Sequence, residues 1–188
     1  MMRVWMIRHG ESETNRVKYW TGWLDVHLTE KGKEDAAFAG SFLAGKSFDA
    51  VYSSDLVRAR ETASIAIPEK EAITTPLLRE INVGNLAGNP ISSTDAEKMK
   101  LASIEGYAFA GGETKAELIK RITSFRELLE ASGHENVAVF THAGWLRTFL
   151  DLTLDTNISR ERIACKNCTV AIFEYDGKWK LHSWINSL

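Results

Sequence analysis

The chain has 188 residues, 44% hydrophobic and 26% charged, with a formal net charge of −2 at pH 7. That is enough for one domain with a sizeable core, and it excludes a low-complexity or disordered polypeptide. The charge balance gives no general pull toward nucleic acid or anionic lipid, so an anionic ligand must be met by a few placed cations.

No apolar run approaches the ~20 residues needed to cross a bilayer. The stretch MMRVWMIRHG is too short in apolar residues for a secretory signal, so the expected home is a reducing cytoplasm. Residues 3–9, RVWMIRH, read as a buried strand that stops abruptly on Arg8, His9 and Gly10. Residues 29–45, TEKGKEDAAFAGSFLAG, predict an amphipathic helix with Thr29 as N-cap and Gly45 near its end. FDAVYSS (48–54) predicts a second strand, and DLVRARETASIAI (55–67) a helix stopped by Pro68. LLREINVG (77–84) reads as a loop after a short strand. A long helix follows over 114–132, with Thr114 and Glu117 as a capping box and Gly133 as its stop. NVAVFTH (136–142) is another strand, leading into a helix over GWLRTFLDLTL (144–154). TVAIFEYDGKWKLHSWI (169–185) predicts two strands about an Asp176-Gly177 turn. The alternation of strands and helices predicts an α/β fold, a three-layer α/β/α sandwich with a mostly parallel central sheet. No linker or repeat divides it, so 1–188 is read as a single domain.

Cys165 and Cys168 stand as C-x-x-C. No second Cys pair completes a zinc site, and the pair precedes a strand rather than opening a helix, so both are read as incidental thiols.

In a parallel sheet, ligands bind beyond the carboxyl ends of the strands. Three such ends carry chemistry here: Arg8-His9, Ser53-Ser54 before Arg58, and Thr141-His142-Ala143-Gly144. Arg8 and Arg58 offer planar forks of N–H donors suited to phosphate oxygens. His9 and His142 can face each other across one crevice, and a neutral imidazole is a competent nucleophile toward phosphorus. Gly10 would let backbone N–H groups approach an anion. Glu80 is a candidate acid for the leaving oxygen. Taken singly, each residue has an ordinary structural reading: a solvated Arg, a hydrogen-bonded His, an exposed Glu. Arg60 lies about 200° round the helix from Arg58 and is read as a surface residue. Arg147 is assigned a structural role, and His27, His134 and His182 none; Trp20 and Trp23 flank Thr21-Gly22 at the expected entrance.

RHGESETN, followed in order by TGWLDVHLTEKGKEDA, VYSSDLVRARETA, LLREINVGNLAG, GGET and VFTHAGWLR, resembles the histidine phosphatase superfamily, also called phosphoglycerate mutase-like, from residue 3 to about residue 150. The resemblance implies that His9 is the nucleophile that becomes phosphohistidine and that Glu80 is the proton donor. Arg8, Arg58, His142 and Asn15 would bind phosphate, and Thr21 and Gly22 would contact substrate. It implies a metal-independent phosphomonoester hydrolase with no cofactor, acting on a small phosphorylated metabolite. Residues 85–113 would form a lid-like insertion over the site. This segment carries only Lys98 and Lys100 as cations, with Asp95, Glu97 and Glu105 against them, too few to retain a bisphosphate intermediate. A phosphatase is therefore preferred to a phosphoglycerate mutase, and both to a non-catalytic phosphate-binding module, because nucleophile and donor are both kept. The chain departs from the family pattern at Leu86-Ala87-Gly88, where many phosphatases carry W-E-G. The tail strands leave a homodimer through a sheet edge open.

Overall fold

The computed structural model describes residues 1–94, 107–156 and 163–186. Its strands are β1 (Met2–Arg8), β2 (Ala50–Ser54), β3 (Ile73–Thr75), β4 (Asn136–Thr141), β5 (Val170–Tyr175) and β6 (Trp179–Ile185). Its helices are α1 (Glu13–Arg16), α2 (Glu30–Leu43), α3 (Val57–Ala66), α4 (Lys115–Ala131) and α5 (Ala143–Leu154). The strands form one sheet in the order β3-β2-β4-β1-β5-β6. β3, β2, β4 and β1 pair in parallel, and β5 and β6 add antiparallel as a hairpin.

Side chains alternate across a strand. Val4 and Met6 of β1 enter one core cluster with Leu118, Ile122 and Phe125 of α4 and Phe149 of α5. Trp5 and Ile7 enter a second cluster with Leu43 of α2 and Ala63 and Ala66 of α3. Both faces of the sheet are thus covered, which explains why β1 reads as an unbroken apolar run. The expected three-layer α/β/α sandwich and mostly parallel sheet are found.

The end signals act as predicted. Thr29 Oγ1 accepts from the Gly32 N–H at 3.0 Å. The Thr114–Glu117 capping box is formed in both directions. The four-residue α1 was not anticipated; it is too short to show a period. Of the segment expected as a lid, residues 95–106, with both lysines and all three acids named above, lie outside the described residues. Its two described ends are tied to each other by Asn85 N–H donating to the Ala110 carbonyl at 2.9 Å.

Candidate active site

The sheet order makes β1 and β4 neighbours, with Arg8 opposite Thr141. The next residue of each strand is a histidine, so His9 and His142 emerge side by side, their ring centroids 5.0 Å apart. β2 ends at the same edge, and the first turn of α3 after it carries Arg58. The segment after β3 delivers Glu80. All four parallel strands therefore contribute, at their carboxyl ends, to one place.

His9 is buried, and two hydrogen bonds define its ring. Nδ1 lies 2.7 Å from the Gly10 carbonyl, which can only accept, so Nδ1 carries the proton. Arg58 Nε–H, which can only donate, lies 3.3 Å from Nε2, so Nε2 carries the lone pair. Arg58 is 1% exposed and also donates to the carbonyls of Leu24 and Gly22, each at 2.8 Å. Burial, with the nearby Arg8 charge, lowers its pKa to about 10. Arg8 donates from Nη1 to the Cys165 carbonyl at 2.6 Å, while its Nε is buried without a partner among the described residues. His142 is fully buried, and neither of its ring nitrogens has a partner among the described residues. Buried polar atoms are rarely left unpaired. A neutral His142 has one N–H to give, and that group and Arg8 Nε–H would find acceptors in an oxyanion lodged beside His9.

Burial foremost, then the charges of Arg58 and Arg8, holds His9 well below the usual histidine range. Burial foremost, then Arg58, does the same for His142. The sign for stability follows. Below pH 6.5 the unfolded chain takes up protons that these folded-state rings refuse, so stability falls with acidification, by up to about 1.4 kcal/mol per pH unit for each ring. His27, raised by its bond to Glu61, contributes the opposite slope and is a control. Thermal unfolding between pH 7 and 5 should show a falling midpoint, and His142→Asn should flatten it; an unchanged slope in that variant would contradict the assignment.

Glu80 Oε1 accepts from its neighbour's Ile81 N–H at 2.9 Å, and Oε2 from the Gly144 N–H at 3.0 Å. Gly144 lies in the first turn of α5, where backbone N–H groups are unsatisfied and favour negative charge. A Cβ on Gly144 would strike the Glu80 carboxylate. Gly144→Ala should therefore displace Glu80 and lower kcat by about 10²-fold with little change in unfolding midpoint. A kcat within threefold of wild type would show that the contact does not matter.

Asn15 Oδ1 gathers three donors: Ser12 N–H at 3.3 Å, Arg8 Nη2 at 3.5 Å and Asn167 Nδ2 at 3.0 Å. With its oxygen so engaged, the Asn15 amide nitrogen is the group left to donate. Thr21 Oγ1 pairs with Thr14 Oγ1 at 2.6 Å, and Gly22 turns its carbonyl to Arg58. Gly10 differs from its expectation. Its N–H donates to Thr62 Oγ1 at 3.1 Å, and a Cβ there would strike the Gly32 carbonyl of α2. The glycine is needed for close strand–helix packing, not to bare an N–H to a ligand. Arg60 is exposed, and Arg147 Nε donates to the Ile163 carbonyl at 3.1 Å, both as read. Trp23 Nε1 donates to the Glu80 carbonyl at 2.7 Å, so it belongs to the site. Cys165 and Cys168 are buried and form no disulfide, and burial pushes the Cys168 thiol up to about 12.

Three contributors escaped the sequence reading. Thr62 sits one turn after Arg58 on α3 and receives Gly10. Asn167 lies inside the C-x-x-C stretch and donates to the His9 carbonyl at 3.1 Å as well as to Asn15. Arg121, in mid-α4, donates to the Glu80 carbonyl at 3.3 Å. Only Asn167 had a local signal, a polar residue set between two buried cysteines at a strand start.

Comparison with known proteins bears on this arrangement. The model of the histidine phosphatase superfamily (branch 1) matches residues 4–187. A broad-specificity phosphatase of Saccharomyces cerevisiae is 32% identical over 186 residues, covering 93% of this chain and 80% of the yeast one. "Probable phosphoglycerate mutase GpmB" of Yersinia pestis is 28% identical, covering 98% of this chain and 91% of its own. Among solved structures, a mycobacterial glucosyl-3-phosphoglycerate phosphatase complexed with VO3 superposes with a TM-score of 0.87 at 23% identity over all of both chains, a likeness of fold.

Proposed function

This chain belongs to the histidine phosphatase superfamily, and from that premise we propose that it hydrolyses a small phosphomonoester through a phosphohistidine on His9, without a metal. The observation that carries the proposal is the His9 ring, proton on Nδ1 and lone pair on Nε2, set among Arg8, Arg58 and His142. The ester's phosphoryl oxygens replace Nε2 as the acceptor of Arg58 Nε–H and take up the free donors of Arg8, Asn15 and His142. His9 Nε2 attacks phosphorus, and the bond from phosphorus to the ester oxygen breaks. Glu80 gives its proton to the departing alkoxide. Water then attacks the phosphohistidine, its proton passes to Glu80, the N–P bond breaks, and phosphate leaves with His9 restored. Two arginines and the surrounding donors stabilise the charge spread over the transferring group, the work a metal does in other phosphoryl-transfer sites.

The N–H groups of Ile81 and Gly144 orient the Glu80 carboxyl while each oxygen keeps a further lone-pair site for the travelling proton. The substrate is expected to carry little charge beyond its phosphate. Arg79 is spent on Asp55, and Arg121 on Glu113. Neither offers a second anion clamp. The yeast relative's broad specificity is consistent with this, and the Yersinia relative's name keeps mutase activity as the rival.

The test is phosphate release from a panel of phosphomonoesters, 3-phosphoglycerate among them, with and without chelator, beside a mutase assay primed with bisphosphoglycerate. Chelator-insensitive release is expected. Loss of release with EDTA would refute the metal-free mechanism, and efficient interconversion of phosphoglycerates would replace hydrolysis by transfer.

A further inference from the structure

Glu80 lies between two single 3-10 turns, Pro76–Leu78 and Gly84–Leu86, and belongs to neither, so no strand or helix fixes it. Its side chain is held by two backbone N–H groups. Its backbone carbonyl accepts from one guanidinium. Arg121 Nη1 donates to the carbonyls of Leu77 at 3.0 Å and Arg79 at 3.1 Å, and Nη2 to that of Glu80 at 3.3 Å. The same guanidinium grips Glu113 through Nε at 3.1 Å and Nη2 at 2.6 Å. Glu113, the last residue of the insertion, accepts the Asn82 N–H at 3.0 Å and returns its own N–H to the Asn82 carbonyl, also at 3.0 Å. Trp23 completes the arrangement, with Nε1 on the Glu80 carbonyl and its ring faced by Arg79 and Arg121. Arg121 and Glu113 are 17% and 10% exposed, so this is no surface ion pair loosened by solvent.

Resting on the reading of Glu80 as proton donor, we propose that the Arg121–Glu113 pair is a positioning clip that fixes Glu80 against the leaving oxygen and ties the end of the insertion to that same residue. A lysine at 121 keeps the charge but supplies one point of donation where the clip needs a planar fork bonding on both sides. A glutamine at 113 removes the charge that seats the fork. Neither residue hydrogen-bonds the groups around His9; the Arg121 charge reaches His142, and a lysine at 121 keeps that charge.

The experiment compares hydrolysis of an alkyl phosphate, whose alkoxide needs the proton, with an aryl phosphate, whose phenolate needs little help. Arg121→Lys and Glu113→Gln are each measured, with Glu80→Gln as reference and the Arg121→Lys/Glu80→Gln double variant. The clip predicts that either single change lowers kcat on the alkyl ester by about 10- to 10²-fold, with a loss on the aryl ester at least five times smaller and KM little moved. In the double variant, Arg121→Lys should cost nothing beyond Glu80→Gln on the alkyl ester, because it acts only through Glu80. Equal losses on both esters, or losses that add in the double variant, would mean a general structural role and overturn the clip. So would kcat values near wild type in both single variants. If Arg121→Lys does not fold, Glu113→Gln carries the same comparison. If Glu80→Gln itself shows no preference between esters, the donor assignment fails first and the clip falls with it, a pattern distinguishable from failure of the clip alone.

Discussion

His9→Ala should reduce phosphate release by about 10⁴-fold or more, the scale seen when a nucleophile acting in a concerted set is removed. No neighbour can take its place. His142 is 5.0 Å away, centroid to centroid, but no bond among the described residues fixes its tautomer, whereas His9 has a bond at each ring nitrogen. Arg8 and Arg58 carry no lone pair to give. The variant should still bind inorganic phosphate or vanadate, because Arg8, Arg58 and His142 remain. Binding at 100 times the dissociation constant would stabilise it by about 2.7 kcal/mol, readable as a rise in unfolding midpoint. Turnover within tenfold of wild type would end the covalent mechanism.

Glu80→Gln should cost about 10²- to 10⁴-fold on alkyl phosphates and no more than about tenfold on aryl phosphates. The amide cannot deliver a proton, and a departing alkoxide is a far stronger base than a phenolate. Glutamine is not a perfect replacement in shape. The carboxylate accepts an N–H at each oxygen, from Ile81 and Gly144, and an amide must present its NH₂ to one of them. The aryl ester reports that positional cost separately, since it needs the geometry but not the proton. Equal losses on both esters would assign Glu80 a structural part only.

The parts of the site legible in sequence are those that strand ends deliver. Arg8-His9 and His142 were visible because each follows a buried β-rich run, and the parallel pairing of β1 with β4 sets them side by side. Arg58 was separable from Arg60 by helical period alone, and the structure buries the first and exposes the second. The tertiary supports were hidden. Arg121 reads as one more cation on a charged helix, and only the fold aims it at carbonyls more than forty residues back in the chain. Thr62 and Asn167 act on backbone atoms of Gly10 and His9; the place of Asn167 between Cys165 and Cys168 marks the residue, but nothing local to either residue names its partner. Gly10 was singled out for the wrong reason, because sequence gives no view of α2 crossing within contact of it. The helices were legible where a cap or period marked them, as at Thr29 and Thr114, and not in the single turn at Glu13–Arg16.

The central claim is that phosphate passes through His9. The most direct measurement is acid-free rapid quenching of the enzyme with a labelled phosphomonoester, followed by intact-mass and peptide mapping of the protein. The mechanism predicts a phosphoryl group on the peptide that contains His9, stable to alkali, lost in acid, formed no more slowly than phosphate is released, and absent from His9→Ala. Turnover with no phosphorylated protein at any quench time, or label on another residue that persists in His9→Ala, would contradict it.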